Sequence, residues 1–483
     1  MSESNGAGES STALDTVSSA PHDRYHVHED DYVMFRLPNG EVRSHQVKKN
    51  GTLSMGRLGQ FSVNNLIGQP YGLTHEIVGK ELNVLPPRSI EDIEDTDATN
   101  ELINDGQMVQ PLTGPEIEAL KSSGVHASEI IKKQIEAHSN YELKTEYSKD
   151  KYKKRKEAKF LKAFTTVEPT IYNVAEYWFN KDPGRIRDMR VDTLSQMLNL
   201  GNIRPGGRYL AVDDVSGLVV AAMLDRLGGD GRLVTICDVD SPPAYPAMSQ
   251  MNFPKEFASI MASLNWATAE EEYTPVALLP DPAQDDIRSD KHKVRMSKRK
   301  AASDALAATR DELFTGEFSG LLIASQYDPA SVLTRLSPYL GGSASIVIYS
   351  QHLQILTDLQ NKMRADFQYL APSVTESWLR RYQVLPGRTH PTMVTSGSGG
   401  FLLHATKIYN DPKAQAVTSH RSKKRKTDAS AGGTPAETRA ASREPEGPVS
   451  VQVDQPASPK PVEHAAVPDK VKSHRTTGSE PMS

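Results

Sequence analysis

Cysteine is nearly absent. Among 483 residues there is one, Cys237. A single thiol excludes an intrachain disulfide and any cysteine-rich zinc site, and it suits a reducing compartment. Long apolar runs are missing too; no stretch approaches the ~18 apolar residues that a membrane-spanning helix needs. The opening segment, MSESNGAGESSTALDTVSSAPHD, has neither the basic start nor the apolar core of a signal peptide. A soluble intracellular protein is the expectation. Apolar residues make up only 37% of the chain, which is low for a wholly packed protein, so part of the length should not pack. The net charge is −5. No general attraction to nucleic acid follows from that total, and any basic footprint must be local. There is no Gly-x-Ser-x-Gly elbow, no Walker A loop and no His-Glu-x-x-His. His22, His26 and His28 lie close together, but in a polar segment with little to fix them, so no metal site is expected.

What is present divides into five stretches. Residues 1–24 are Ser, Gly and acid, and should be a disordered tail. Residues 25–88 hold short β-like runs with frequent glycines. Pro38-Asn39-Gly40 is a hairpin signal, and a small antiparallel β-barrel is expected. Residues 89–164 open as an acidic linker (SIEDIEDTDAT, 89–99) and continue as a short helical linker. There Thr113, Pro115 and Glu116 form a capped helix start, and basic helices follow. Residues 165–409 alternate helix and apolar strand. That pattern means a parallel sheet covered on both faces, the doubly wound, Rossmann-like class. Within it, FPKEFASIMASL (253–264) reads as one helix, and 267–312 as an inserted loop and basic helix. Residues 410–483 are Pro, Ser, Thr, Glu and Lys, a second disordered tail. The fold class is α/β.

In such sheets ligands sit at the carboxyl ends of the strands, near the first strand-to-helix turn. Here that turn is LAVDDVSGLVV, 210–220. Methyltransferases that use S-adenosylmethionine carry acid-x-Gly-x-Gly-x-Gly at this place. Asp213 takes the acid position and Gly217 the middle glycine, while Val215 and Val219 occupy the outer glycine positions. Glycine permits left-handed backbone and close approach, and a β-branched residue resists both. The turn should be reshaped, its pocket closed or filled, and no cofactor held. Asp238, at the end of the next strand, stands where a ribose-binding acid belongs, although strand-end acids are common. Asp213 and Asp214 are adjacent and diverge at a turn, which favours hydrogen bonding there over a catalytic carboxylate pair.

The densest chemistry is KDKYKKRKEAKFLKAF. Lys149, Lys151, Lys153, Lys154, Arg155, Lys156, Lys159 and Lys162 fall within 14 residues, opposed only by Asp150 and Glu157. Tyr147, Tyr152 and Phe160 are interleaved. A solvated helix face is the plain alternative, but charges of one sign repel each other, and RNA contact through phosphates explains them better. KHKVRMSKRK, 291–300, is a second basic patch. In the tail, Lys423, Lys424, Arg425 and Lys426 suit a nuclear import signal.

Three stretches taken together resemble one family: GQPYGLTHEI (68–77), KTEYSKDKYKKRKEAKF (144–160) and RRYQVLPGRTHPTMVTSGSGGFLLHATKI (380–408). They are similar to the Gcd10-type, non-catalytic subunit of the eukaryotic tRNA (adenine-58-N1) methyltransferase, once assigned to a translation initiation factor. The resemblance covers about residues 25–409. It implies an N-terminal barrel and a methyltransferase-type C-terminal domain, with no catalytic and no cofactor-binding residues of its own. It also implies a homologous catalytic partner that binds S-adenosylmethionine, heterodimers paired into a heterotetramer, tRNA as the bound RNA, and the nucleus as location. The catalytic partner's motif is Leu-Asp-Leu-Pro-x-Pro-Trp. Aligned on Pro329, this chain reads ASQYDPA, so Ser325 stands at the catalytic acid position and Ala330 at the Trp. Asp328 lies three residues along and should project elsewhere. The last stretch reads as a final hairpin with its turn at Gly397, Gly399 and Gly400, serving either the partner interface or sheet completion. Two rival functions remain at this level: a translation-initiation-type RNA scaffold, and an active methyltransferase.

Overall fold

The computed structural model describes residues 23–86, 112–123, 125, 127–138, 141, 146–239, 243–274, 290–385 and 388–409. These all fall within one compact unit, which ends at Ala414. Most of the tail 1–24, the acidic linker 89–99 and the import-signal residues Lys423–Lys426 lie outside the described residues.

The first sheet is antiparallel. It is built from β1 (Tyr32–Arg36), β2 (Val42–Gln46), β5 (Thr74–Val78), β6 (Glu81–Leu85) and β7 (Ala163–Val167), in the order β2-β1-β7-β5-β6. A separate ribbon, β3 (Thr52–Ser54) with β4 (Gln60–Ser62), packs on the same core. The expected barrel is thus an antiparallel sheet with a ribbon across it, tied by the Ser62 N–H donating to the Lys80 carbonyl at 3.0 Å. The β1–β2 turn falls where the sequence places it, with Gly40 at φ 86°. Phe35, Phe61 and Phe164 fill the centre. Phe164 lies edge-on to Phe35 and stacked on Phe61, with centroids 5.2 Å apart in both pairs.

Three helices intervene before β7: α1 (Gly114–Ser122), α2 (Ala127–Glu136) and α3 (Glu146–Phe160). The α1 cap forms as expected, with the Thr113 N–H donating to Glu116 Oε2 at 2.8 Å. β7 corrects the expected domain edge at 164/165. Its residues pair with β1 and β5 in the first sheet, Phe35 opposite Thr166 and His75 opposite Phe164. The expected disordered tail 1–24 also needs a correction at its last residue. Arg24 is anchored, donating to Asp225 at 3.0 Å and lying over the Phe257 ring.

The second sheet follows α4 (Ile171–Lys181) and α5 (Val191–Leu200). Its elements are β8 (Arg208–Asp213), α6 (Leu218–Leu227), β9 (Arg232–Cys237), α7 (Pro246–Ser249), α8 (Lys255–Ser259), β10 (Met261–Asn265), α9 (Asp290–Thr315), β11 (Phe318–Ala324), α10 (Pro329–Leu336), β12 (Leu340–Ser350), α11 (Leu353–Ala365), β13 (Tyr369–Glu376), β14 (Tyr382–Leu385), β15 (Arg388–Pro391) and β16 (Phe401–Lys407). Seven strands run β10-β9-β8-β11-β12-β16-β13. Neighbours from β10 to β12 are parallel, and β16 is antiparallel between β12 and β13. The order reverses beside β8, so the β8 turn lies at the topological switch point. One buried cluster covers each face of the sheet.

Two readings inside this domain change. Residues 253–264 are not one helix. Phe257, Ile260, Met261 and Leu264 fit a helical period, yet only Lys255–Ser259 is helical, and Met261–Asn265 pairs with β9 as the sheet's edge strand. Tertiary pairing overrides local period here. The glycine-rich run is also not a hairpin turn. The hairpin is β14–β15, Leu385 opposite Arg388, and the glycines lead into β16. Gly399 packs on Arg190 and Thr193, where a Cβ would come within 2.8 Å of either side chain. Arg190 is 3% exposed. It holds Asp192 through two bonds of 2.6 and 2.8 Å and donates to the Gly397 carbonyl at 2.6 Å.

Candidate functional site

The β8 turn is built around its own acid. Asp213 Oδ1 accepts from the N–H groups of Val215 (2.8 Å) and Gly217 (3.0 Å), and Oδ2 from Val220 (2.9 Å). Its carboxylate therefore organises the turn and the first turn of α6. Burial pushes this carboxyl up to about 6, against the pull of those three donors. The left-handed residues are Ser216 (φ 63°) and Gly217 (φ 77°), so Val215 is spared the positive φ it could not easily adopt. Val215 and Val219 are both fully buried in the core under the turn.

Tyr245 occupies the space that a close-approach glycine keeps free. A Cβ on Gly217 would sit 2.3 Å from Tyr245 Cβ. The ring is 4% exposed, and burial raises its hydroxyl well above the usual tyrosine range. The expected filling of the pocket is therefore partial. Tyr245 covers Gly217, and beside it a cleft of about 490 Å³ stays open, lined by Asp214, Cys237, Asp238, Arg187 and Gln326 among others. Asp214 accepts from the Gln326 N–H at 3.0 Å. Its carboxyl is raised, first by burial and then by the nearby Asp238. The donor set is acid-rich, and the glycine frame is gone. These residues do not fit S-adenosylmethionine: of the three glycine positions only Gly217 remains, Tyr245 covers it, and Val215 and Val219 turn into the core.

The acid position at the end of β11 holds Ser325, whose Oγ is buried without a hydrogen-bond partner. Asp328 serves as the N-cap of α10, accepting from the Ser331 N–H at 3.1 Å. It is a structural cap and does not replace the missing acid. Sequence alone places Asp328 away from Ser325's position; the cap explains why.

The basic helix α3 is less uniform than its sequence. Tyr152 packs edge-on against His138, centroids 5.0 Å apart, and against Tyr141. Lys156 lies over the Tyr152 ring at 5.0 Å and Lys149 over Tyr141 at 5.8 Å. Burial lowers the Lys156 ammonium, helped by Lys159 and Arg155. Phe160 is buried. Tyr152, Lys156 and Phe160, four residues apart, thus form the inner stripe that rests on α2. The interleaved aromatics at 152 and 160 hold the helix in place, and do not stand free for bases. Lys153, Arg155, Lys159 and Lys162 are exposed. The side chains of Tyr147, Lys151 and Lys154 lie outside the described residues. The second patch sits on the first half of α9, with Lys293, Arg295, Lys298, Arg299 and Lys300 exposed. The other end of α9 is anchored by the buried Arg310, which donates to the carbonyls of Thr268, Glu270 and Tyr273.

His26 is held by Asp23 at 2.6 Å and bridges to Pro70. No group of three or more metal-ligating side chains occurs among the described residues. No described helix is long and apolar enough to cross a membrane.

A seven-stranded sheet in this order, with a turn at its switch point that keeps one glycine under a tyrosine, defines a methyltransferase-type domain that lacks the cofactor frame. The chain belongs to the Gcd10p family, whose model matches residues 26–304. A Debaryomyces hansenii protein named tRNA (adenine(58)-N(1))-methyltransferase non-catalytic subunit TRM6 is 31% identical over 433 residues, covering 83% of this chain and 91% of its own. The Mus musculus protein of the same name is 28% identical over 447 residues, covering 80% and 89%. Among solved structures, the tRNA (m1A58) methyltransferase TrmI from Aquifex aeolicus overlaps loosely, at 12% identity and TM-score 0.40, over 80% of this chain and 100% of that one. The fold itself is carried by the strand order.

Proposed function

We propose that this chain is the non-catalytic subunit of a tRNA 1-methyladenosine-58 methyltransferase, acting with a homologous subunit that binds S-adenosylmethionine. The relatives' shared name, across most of their length, supports this. The observation in the chain itself that carries the reading is Tyr245 seated on Gly217 between buried Val215 and Val219. With Ser325 at the acid position, neither the cofactor nor a general base has a place here. What the chain offers is surface. The exposed cations of α3 would capture tRNA through its phosphates and register it for the partner. Base 58 must leave its stack to be methylated, so a wide grip on the folded RNA is useful.

The partner would be a subunit of the same fold, since like commonly pairs with like. Around β14–β15 the exposed apolar side chains Trp378, Val384, Met393 and Val394 support that side as its seat. Two heterodimers would form a heterotetramer, and Lys423–Lys426 would direct the chain to the nucleus. The test is methylation of unmodified tRNA by this chain alone, the partner alone, and both. Activity is expected only from the pair. Full activity from either chain alone would overturn the proposal.

A further inference from the structure

We propose that the cleft between the first sheet and α4 seats a stretch of the tRNA backbone, with phosphates on Arg36 and Lys181 and a base against Tyr172. This deepens the tRNA-binding reading above and rests on it. The cleft has a volume of about 900 Å³, and it runs between the β1–β2 hairpin and α4, with Arg381 at its rim. That size is far beyond a single inorganic anion and within the range of sites for large ligands.

Charge decides the chemistry. Four cations line the cleft: Arg36, Arg43, Lys181 and Arg381. Its two acids are already engaged, Glu41 with Arg43 at 2.8 Å and Glu176 with Arg381. Arg36 and Lys181 have no carboxylate partner among the described residues. Two uncompensated cations on facing walls ask for an anion. His45 also lines the cleft, and its imidazole is shifted below the usual histidine value, first by burial and then by Arg43 and Lys181.

Lys181 is also pre-positioned. Its ammonium donates to the Tyr177 hydroxyl at 2.5 Å and lies over the rings of Tyr177 (4.9 Å) and Trp178 (5.5 Å). A buried strut fixes the two walls. Trp178 Nε1 donates to Gln250 at 2.7 Å, and Gln250 Nε2 donates to Ser44 of β2 at 3.0 Å. The lysine therefore loses little freedom on binding. Tyr172 is 52% exposed. It stands two and a half turns before Lys181 on α4, about 13 Å away along the axis. The two line the cleft from opposite edges, a span for several atoms of an extended backbone and not for one phosphate. An exposed ring beside a basic groove is the usual platform for an unstacked base.

Continuity points to a polymer. Arg36 and Gly40 also line a neighbouring groove, whose far side carries Arg155 of α3. That groove also holds Glu157 and is otherwise neutral, so Arg36 and Arg155 are its two cationic points, and Arg36 is the one it shares with the cleft. A strand bound by α3 can continue over Arg36 into the cleft.

The test uses the full chain with its catalytic partner and an unmodified tRNA transcript, titrated in salt. Arg36→Ala with Lys181→Ala should weaken binding about 10-fold or more at low salt and lower the salt slope by about 2. Lys181→Arg alone, which keeps the charge, should bind nearly as the parent does and leave the slope unchanged. Tyr172→Ala should weaken binding about 5-fold or more with the slope unchanged. Equal affinity and slope in variants that melt like the parent would overturn the proposal. So would loss of the catalytic subunit from the double variant while the isolated chain still binds tRNA as before, which would make the cleft a protein seat. If methylation needs this chain and the variants bind normally, the cleft alone falls. If the partner methylates fully without it, the functional reading falls first.

Discussion

The two sheets of this protein keep different things. The seven-stranded sheet keeps an interior: β8, β9 and β11 are buried along nearly their whole length, and β12 is buried from Ile346 to Tyr349. The rim where chemistry happens in its class has been rewritten, with valines in the turn, a tyrosine on the remaining glycine and a serine for the acid. The five-stranded sheet has the smaller core, yet its neighbourhood carries exposed cations without a carboxylate partner among the described residues, at Arg36, Lys181 and the outer face of α3. The larger domain adds the α9 patch, away from the β8 turn's own residues. Burial constrains a sequence through volume and polarity, so a core survives after its active site has gone. A rim residue is held only by what it does.

Four measurements would break or sharpen this contrast. The largest effect is expected at Tyr245. Tyr245→Ala should destabilise by about 3–5 kcal/mol in a denaturant melt, as a buried aromatic removed from a core does, and calorimetry should still find no S-adenosylmethionine binding. Micromolar binding by that variant would show that one side chain, and not the whole rim, closes the site.

Next is Asp213. Its carboxyl is raised from 3.8 to about 6 in the fold. A raised acid stabilises below its unfolded value, and that contribution is lost as pH rises through the folded one. At pH 7 the charge is buried at a relative cost of about 3 kcal/mol. Asp213→Asn should therefore gain stability relative to the parent between pH 4 and pH 7, by about that amount. Parallel curves for the two proteins would mean that the turn's three N–H donors already compensate the burial.

On the other sheet's side, Lys153→Glu, Arg155→Glu and Lys159→Glu together should weaken tRNA binding about 10- to 100-fold at low salt and flatten its salt dependence. Lys156 is best left alone, because it packs on Tyr152. An unchanged salt slope would remove α3 from the RNA contact. The smallest effect belongs to Asp328. Asp328→Ala should cost about 1 kcal/mol, the value of an N-cap, with Asp328→Asn nearly neutral and methylation by the complex unaltered. A loss of methylation with full stability would return Asp328 to the chemistry.

Much of this was legible in the residues. The strand–helix alternation, the β1–β2 turn, the Thr113 cap and the misplaced valines follow from local rules on period, caps and φ. What escaped depends on distant pairing. Tyr245 lies in a Pro-rich stretch, SPPAYPA, that reads as plain loop, and only the fold brings it onto Gly217. Tyr152 looks like a stacking platform until α2 is folded beside it. Met261–Asn265 has a helix-like spacing but sits where β9 needs a neighbour. Arg190 reads as one surface arginine among many. Its burial is visible only when residues 377 and 396–397 arrive to accept its hydrogen bonds.

The position of β7 has a consequence for how the chain is made. β7 is the middle strand of the first sheet, yet it follows β1 by more than a hundred residues. A ribosome that has released residues 23–86 has made four of the five strands and cannot join them, because β1 and β5 each wait for the same missing neighbour. Closing so long a loop is slow compared with a local hairpin, and two open strand edges invite wrong pairing in the meantime. The shortest N-terminal fragment that can fold must therefore run past Val167, and a gene cut at the acidic linker should yield aggregate where one cut after β7 yields a soluble domain.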